Sequence, residues 1–312
     1  MGAVLKAAPW GVRSGVGPGP VSPRAALAAA FLFVLLAGCA AAPTAPAPAP
    51  PEAVEVPPPH EYLPGLRAWS HVPEGVTTAP VVVIIPGGSW LSAVADGLHP
   101  LAAELAARGV FAMPATIRVA DAGATWPVPV EDVLCAVADG VATARELGIE
   151  PGPVVVLGHS AGAHLAAVAA LSAQDFDPGC RDELVAPDAV VGLAGPYDIR
   201  QYAEPAEALM GRGSDPEQDP RWAAANPVLL AERNPDVSFL LLHGTIDEVV
   251  PQAFTTDFAI ALDEAGHPTT VAVLDGIDHG EVYWPSVAVD PVMRWLATVM
   301  TPATPDPPGP WG

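Results

Sequence analysis

The sequence predicts an α/β fold, a mostly parallel, twisted sheet with helices on both faces, carried by residues 60–301. Three observations predict it. The branched apolar runs Val81–Ile85 and Val154–Leu157 show none of the polar alternation of a sheet with one wet face, so they read as strands buried on both sides. Helical stretches at 99–108 and 130–147, each closed by a glycine, separate these runs, and such alternation builds right-handed crossovers. The second run turns at Gly158-His159-Ser160-Ala161-Gly162 directly into a helix rich in alanine and leucine that reaches Leu171. The paired glycines suit a place where strand and helix backbones meet too closely for side chains.

Two segments of different character precede that domain. Residues 1–39 carry sparse positive charge (Lys6, Arg13, Arg24), an apolar core from Ala25 to Ala37, and Leu36-Ala37-Gly38-Cys39. This segment resembles bacterial lipoprotein signal peptides. The resemblance implies that Cys39 is lipidated and becomes the mature N-terminus of an exported protein anchored to the cell envelope. The competing expectation is an uncleaved membrane helix over Ala25–Ala42, whose 18 residues are at the lower edge of a bilayer span. Two or more acyl chains on Cys39 would anchor the protein stably where one would not. From Ala40 to Pro59 eight of twenty residues are proline and most others alanine, so 40–59 is expected to be an extended tether. Five prolines in eleven residues make 302–312 an expected tail.

An apolar fraction of 51% is ample for the core of one α/β domain. The formal charge of −22 includes Lys6, Arg13 and Arg24; without them ten basic residues face 35 acidic ones, or −25. Such a surface repels nucleic acid and anionic lipid head groups, and no basic cluster offers to hold an anionic substrate.

Taken in order, the domain opens with an expected edge strand at 66–72. The Val81–Ile85 strand stops at Pro86-Gly87-Gly88-Ser89-Trp90. A helix at His99–Arg108 leads to a strand at Val110–Met113, and a helix at Val130–Leu147 to the strand before Gly158. Apolar strands at Ala189–Leu193, Val237–Leu242 and Thr269–Leu274 continue the sheet, with helices at Gln252–Ala265 and Ser286–Met300. No internal repeat is evident.

Open parallel sheets bind ligands outside the carboxyl ends of their strands. Ser160, the Gly88-Ser89 pair, Asp247 and His279 each follow a strand at that end. A serine at the apex of a strand-to-helix turn is placed as a nucleophile, with His279 as its base and Asp247 to orient the imidazole. Amides near Gly88 and Ser89, with that of Ala161 at the helix start, are expected to hold an oxyanion.

These stretches, together with Gly195-Pro196-Tyr197-Asp198 and His243-Gly244-Thr245-Ile246-Asp247-Glu248-Val249-Val250-Pro251, resemble the α/β-hydrolase family over residues 60–301. Within it they are similar to small carboxylesterases and to kynurenine-formamidase-like and deacetylase-like enzymes. The resemblance implies a serine hydrolase that cleaves a carboxylic ester through an acyl-enzyme, with no metal or organic cofactor, and the lack of a basic cluster points to a small neutral ester. An amidase of the formamidase type needs the same triad, and a catalytically silent binding protein of the same fold is the alternative of another class. Pro86 stands where these enzymes usually carry histidine before Gly-Gly, so their substrate preference does not carry over with the motif.

Each role has rivals. His267 precedes its strand and belongs at the opposite sheet edge. His159 and His164 flank the serine and are expected to pack and hydrogen-bond locally, since a zinc pair would need a third ligand. His243, at the end of its strand, is expected to support the site from behind. Asp198 follows the Ala189–Leu193 strand and competes with Asp247 for the acid role, while Glu248 and Asp278 read as solvated neighbours. Trp90, Tyr197 and Trp284 are expected to line the substrate pocket. Cys135 and Cys180, an even pair left over in an exported protein, suggest a disulfide; otherwise they are two separate small apolar residues.

Overall fold

A computed structural model describes residues 48–300. The targeting segment with Cys39, the rival membrane helix over Ala25–Ala42, the first part of the tether and the tail at 302–312 lie outside the described residues. Among the described residues no helix is long and apolar enough to cross a membrane.

Residues 48–59 of the expected tether fall within the described residues. They form neither helix nor strand, but Pro48, Pro51, Val54 and Pro57 are each half-buried between exposed neighbours. Burial of every third residue is what a three-residue polyproline repeat produces when laid along a surface. Glu55, Pro57 and Pro58 border a hollow there with His71 and Ala103.

The edge strand expected at 66–72 forms differently. Pro64-Gly65, with Gly65 at a φ of 79°, folds β1 (His60–Leu63) back on β2 (Leu66–Ala68) as a separate antiparallel ribbon. Among the described residues the isolated bridges Ala68↔Ala115 and His71↔Ala112 tie this segment to the main sheet.

The apolar runs build that main sheet. In chain order it comprises β3 (Thr78–Ile85), β4 (Phe111–Pro114), β5 (Glu150–His159), β6 (Ala189–Leu193), β7 (Ser238–Gly244) and β8 (Thr269–Leu274). The spatial order is β4-β3-β5-β6-β7-β8 and every adjacent pair is parallel. Because side chains alternate between faces, Val81, Val83 and Ile85 enter one core while Val82 and Ile84 enter the other. Helices α1 (His99–Ala107) and α8 (Pro285–Val299) cover the second face through Leu101, Leu105, Val292 and Trp295. Helices α2 (Val128–Glu146), α3 (Ala161–Ser172) and α7 (Ala253–Ala265) cover the first through Val133, Leu165 and Phe258. Burying each such valine or leucine contributes about 2 kcal/mol, which is why a sheet covered on both sides needs no polar alternation.

Three short helices between β6 and β7 were not foreseen: α4 (Ala203–Met210), α5 (Arg221–Ala224) and α6 (Pro227–Leu230). One- and two-turn helices give too few residues for an apolar period to show. Cys135 of α2 and Cys180, in the loop after α3, form a disulfide with their Cα atoms 5.1 Å apart. Closing a loop across 45 residues removes about 4 kcal/mol of unfolded-chain entropy. The neighbouring Arg181 pins the same loop by its ion pair with the buried Asp139 of α2 at 2.9 Å.

Candidate active site

The chain leaves β3 for β4 on one side and returns past it to β5 on the other, so the crevice between the ends of β3 and β5 is the topological switch point of the sheet. Ser160 stands there, between β5 and α3, with φ 53° and ψ −122°. A side chain in this region is strained, by about 1–3 kcal/mol for such backbone outliers, and the surrounding structure must hold it. The flanking glycines show how. A Cβ on Gly158 would lie 2.5 Å from the Ala163 nitrogen and closer still to the Gly162 carbonyl, and one on Gly162 would lie 2.6 Å from the Pro86 oxygen. Strand, helix and the loop after β3 are therefore in backbone contact around the serine.

The loop after β3 is turned sharply, with φ 136° at Gly88, 53° at Ser89 and 55° at Trp90. The Gly88 carbonyl accepts from the amides of Leu91 and Ser92, and the Trp90 indole N–H donates to His164 Nδ1 at 3.2 Å. The amides of Gly88 and Ser89 find no backbone acceptor among the described residues. Ala161 is the first residue of α3, where helical amides are likewise unpaired.

Pro86, Gly87, Gly88, Ser89, Val94, Gly97, Leu98, His159, Ser160, Val249, His279 and Tyr283 line a cavity of about 320 Å³ that is open to solvent on one side. No lysine or arginine lines it. The His279 imidazole donates from Nδ1 to Asp247 Oδ2 at 2.7 Å. Oδ1 of Asp247 accepts the amides of Val249 and Val250 at 2.8 and 2.9 Å, and His243 Nε2 approaches Oδ2 at 3.3 Å. Burial by itself would raise the Asp247 carboxyl, but the hydrogen bonds from His243, His279 and the two amides hold it well below the usual carboxylate range. With Nδ1 committed to the carboxylate, Nε2 of His279 is left to face the cavity chemistry. Ser160 Oγ makes no hydrogen bond to His279 in this conformation.

The rivals occupy other posts. Asp198 accepts from Asn226 at 2.6 Å, Gln201 at 2.8 Å and the Arg200 amide at 3.2 Å, and it does not meet His279. His267 sits between the carbonyls of Val237 and Ala231, at the opposite end of β7. His164 donates from Nε2 to the Ala225 carbonyl at 2.7 Å, and burial pushes its imidazole down to about 4. Among the described residues no group of three or more His, Cys, Asp or Glu is arranged to hold a metal.

The pocket expectation for the aromatics is corrected. Trp90 and Tyr197 are buried in the core, Tyr197 stacked on Phe258 at 4.4 Å, and neither lines the cavity. Trp284 immediately precedes α8 as its N-cap, outside the cavity, and the wall position falls to the adjacent Tyr283. Two further participants had a signal in the sequence: His159 is the elbow residue next to the serine, and His243 precedes Asp247 by four. The apolar walls Val94, Leu98 and Val249 had none.

A doubly covered parallel sheet with a strained serine elbow at its switch point, and histidine and acid on loops after later strands, defines the α/β-hydrolase fold. Within it the chain belongs to the BD-FAE family, whose model matches residues 71–262. The chain is 31% identical over 203 residues to Esterase LipQ of Mycobacterium tuberculosis, covering 61% of this chain and 47% of that protein. It is 30% identical over 236 residues to Esterase LipC of the same organism, covering 69% and 56%. The chain thus spans about half the length of these curated relatives. In fold it is similar to the acetyl ester-xyloside bifunctional hydrolase from Caldicellulosiruptor lactoaceticus, with a TM-score of 0.63 at 21% identity over 75% of this chain and 88% of that one.

Proposed function

We propose that the protein is a serine esterase that cleaves a small neutral carboxylic ester through an acyl-enzyme. The observation that carries this reading is the 2.7 Å hydrogen bond from His279 to an ionised Asp247, with His279 and Ser160 on the wall of one cavity. His279 Nε2 takes the proton of Ser160 Oγ as the oxygen attacks the ester carbonyl. The amides of Gly88 or Ser89 and of Ala161 stabilise the oxyanion, each such donor supporting about 10²-fold or more in turnover. His279 returns the proton to the departing alcohol, and water then releases the acid by the same steps in reverse. The esterase names of the mycobacterial relatives support the reaction type. A cavity of about 320 Å³ without lysine or arginine supports a short, uncharged acyl group.

The test is hydrolysis of p-nitrophenyl acetate, butyrate and octanoate by the full chain beside its Ser160→Ala and His279→Ala variants. Acetate and butyrate turnover that vanishes in both variants is expected. Wild-type turnover no faster than that of Ser160→Ala, on esters and on formyl amides alike, would overturn the reading. Export and a lipid anchor at Cys39 are part of the proposal, supported by Leu36-Ala37-Gly38-Cys39 and by a disulfide suited to an oxidising compartment. A Cys39→Ala variant that still partitions into detergent would remove the anchor from it.

A further inference from the structure

Resting on that reading of the site, we infer that His159 is a positioning residue that ties the histidine-bearing loop to the nucleophile elbow. His159 immediately precedes Ser160, so its backbone is part of the strained turn that aims the serine. Its side chain reaches across 120 residues of sequence: Nε2 lies 2.8 Å from the backbone carbonyl of His279. A carbonyl can only accept, so Nε2 carries the proton and donates, and Nδ1 is the bare nitrogen. The ring is also held between two others from the same loop, His279 at 4.7 Å and Tyr283 at 4.8 Å between centroids. From the third side Gly87 closes on it, since a Cβ there would meet His159 Nδ1 at 2.8 Å.

His159 therefore touches the loop after β3 and the loop after β8, and is continuous with Ser160. Asp247 fixes the imidazole of His279 through Nδ1, and His159 fixes the main chain of the same residue. Two points of attachment are what a loop residue needs if its Nε2 is to meet Oγ repeatedly. The bridge suits the chemistry because burial, and then the nearby His279, push the His159 imidazole down to about 4. It stays neutral beside a ring that gains a proton during turnover.

Three full-chain variants test the inference with p-nitrophenyl butyrate. His159→Phe keeps the ring and removes the donor. His159→Gln places an amide N–H close to the lost Nε2–H, and His159→Asn has an amide that stops about where Nδ1 stood. Expected is a fall in kcat of roughly 10²-fold for Phe and Asn with KM within about threefold, since a displacement of about 1 Å costs that much. Gln is expected to recover at least tenfold of the loss. A Phe variant with wild-type kcat, or a Gln variant no better than Asn, overturns the inference, and the Gln–Asn comparison decides it where the Phe variant does not fold. Nitrogen-15 spectra of the wild-type imidazoles provide a readout that needs no turnover. His159 protonated at Nε2 is expected, and protonation at Nδ1 overturns the inference. Absence of any ester or formyl-amide turnover by the wild type would instead count against the proposed function.

Discussion

Replacing Asp247 by asparagine changes one atom and should nearly abolish activity. Oδ1 accepts two backbone amides, from Val249 and Val250, so an asparagine that keeps those bonds must keep its carbonyl oxygen there. Its NH₂ then takes the place of Oδ2, against His279 Nδ1 at 2.7 Å and His243 Nε2 at 3.3 Å. The opposite orientation would set the NH₂ against two N–H donors and is worse. His243 can still donate to the Val250 carbonyl at 2.9 Å. His279 has no such second choice: Nδ1 must become an acceptor, which moves its proton to Nε2 and removes the base that faces the serine. A wrong tautomer of this kind costs about 10⁴-fold in kcat, equivalent to about 5 kcal/mol of transition-state stabilisation. Turnover of p-nitrophenyl butyrate at saturating substrate measures it, with KM expected to change little. Residual kcat above a tenth of the wild type would refute the reasoning and return the acid role to another carboxylate, Asp198 first.

Two further predictions test other parts of the structure. Gly162→Ala drives a methyl into the Pro86 and Ile85 carbonyls, so the elbow or the loop after β3 must move; a loss of about 2–4 kcal/mol in urea unfolding and of most activity is expected, and an unchanged midpoint would show the contact to be slack. His159 and His164 sit near 4 in the folded protein against about 6.5 unfolded, so the unfolded chain binds more protons as pH falls. Their contribution is complete above about pH 6.5, is lost as pH falls from 6.5 to 4, and amounts to about 2 kcal/mol each between pH 7 and 5. Urea unfolding at pH 7, 6 and 5 measures it, and a flat stability over that range would contradict their buried neutral state.

The sequence alone determined whatever local chain chemistry decides. The run Ala189–Leu193 forms a strand with the expected bounds because a doubly buried strand must be apolar throughout, and Thr269–Leu274 keeps its expected bounds as the partly exposed edge of the sheet. The elbow was legible because Gly158 and Gly162 answer a clash between neighbouring segments of one short stretch. Tertiary structure decided the rest. Whether Asp198 or Asp247 meets His279 depends on loops that only packing brings together, and Asn226 and Gln201 claim the first while His279 claims the second. Trp90 and Tyr197 went into the core because an aromatic ring carries no mark of the surface it will face; that is set by the elements laid over it. The bridge from His159 to His279 spans 120 residues, a distance over which spacing says nothing and only the fold's geometry brings donor to acceptor.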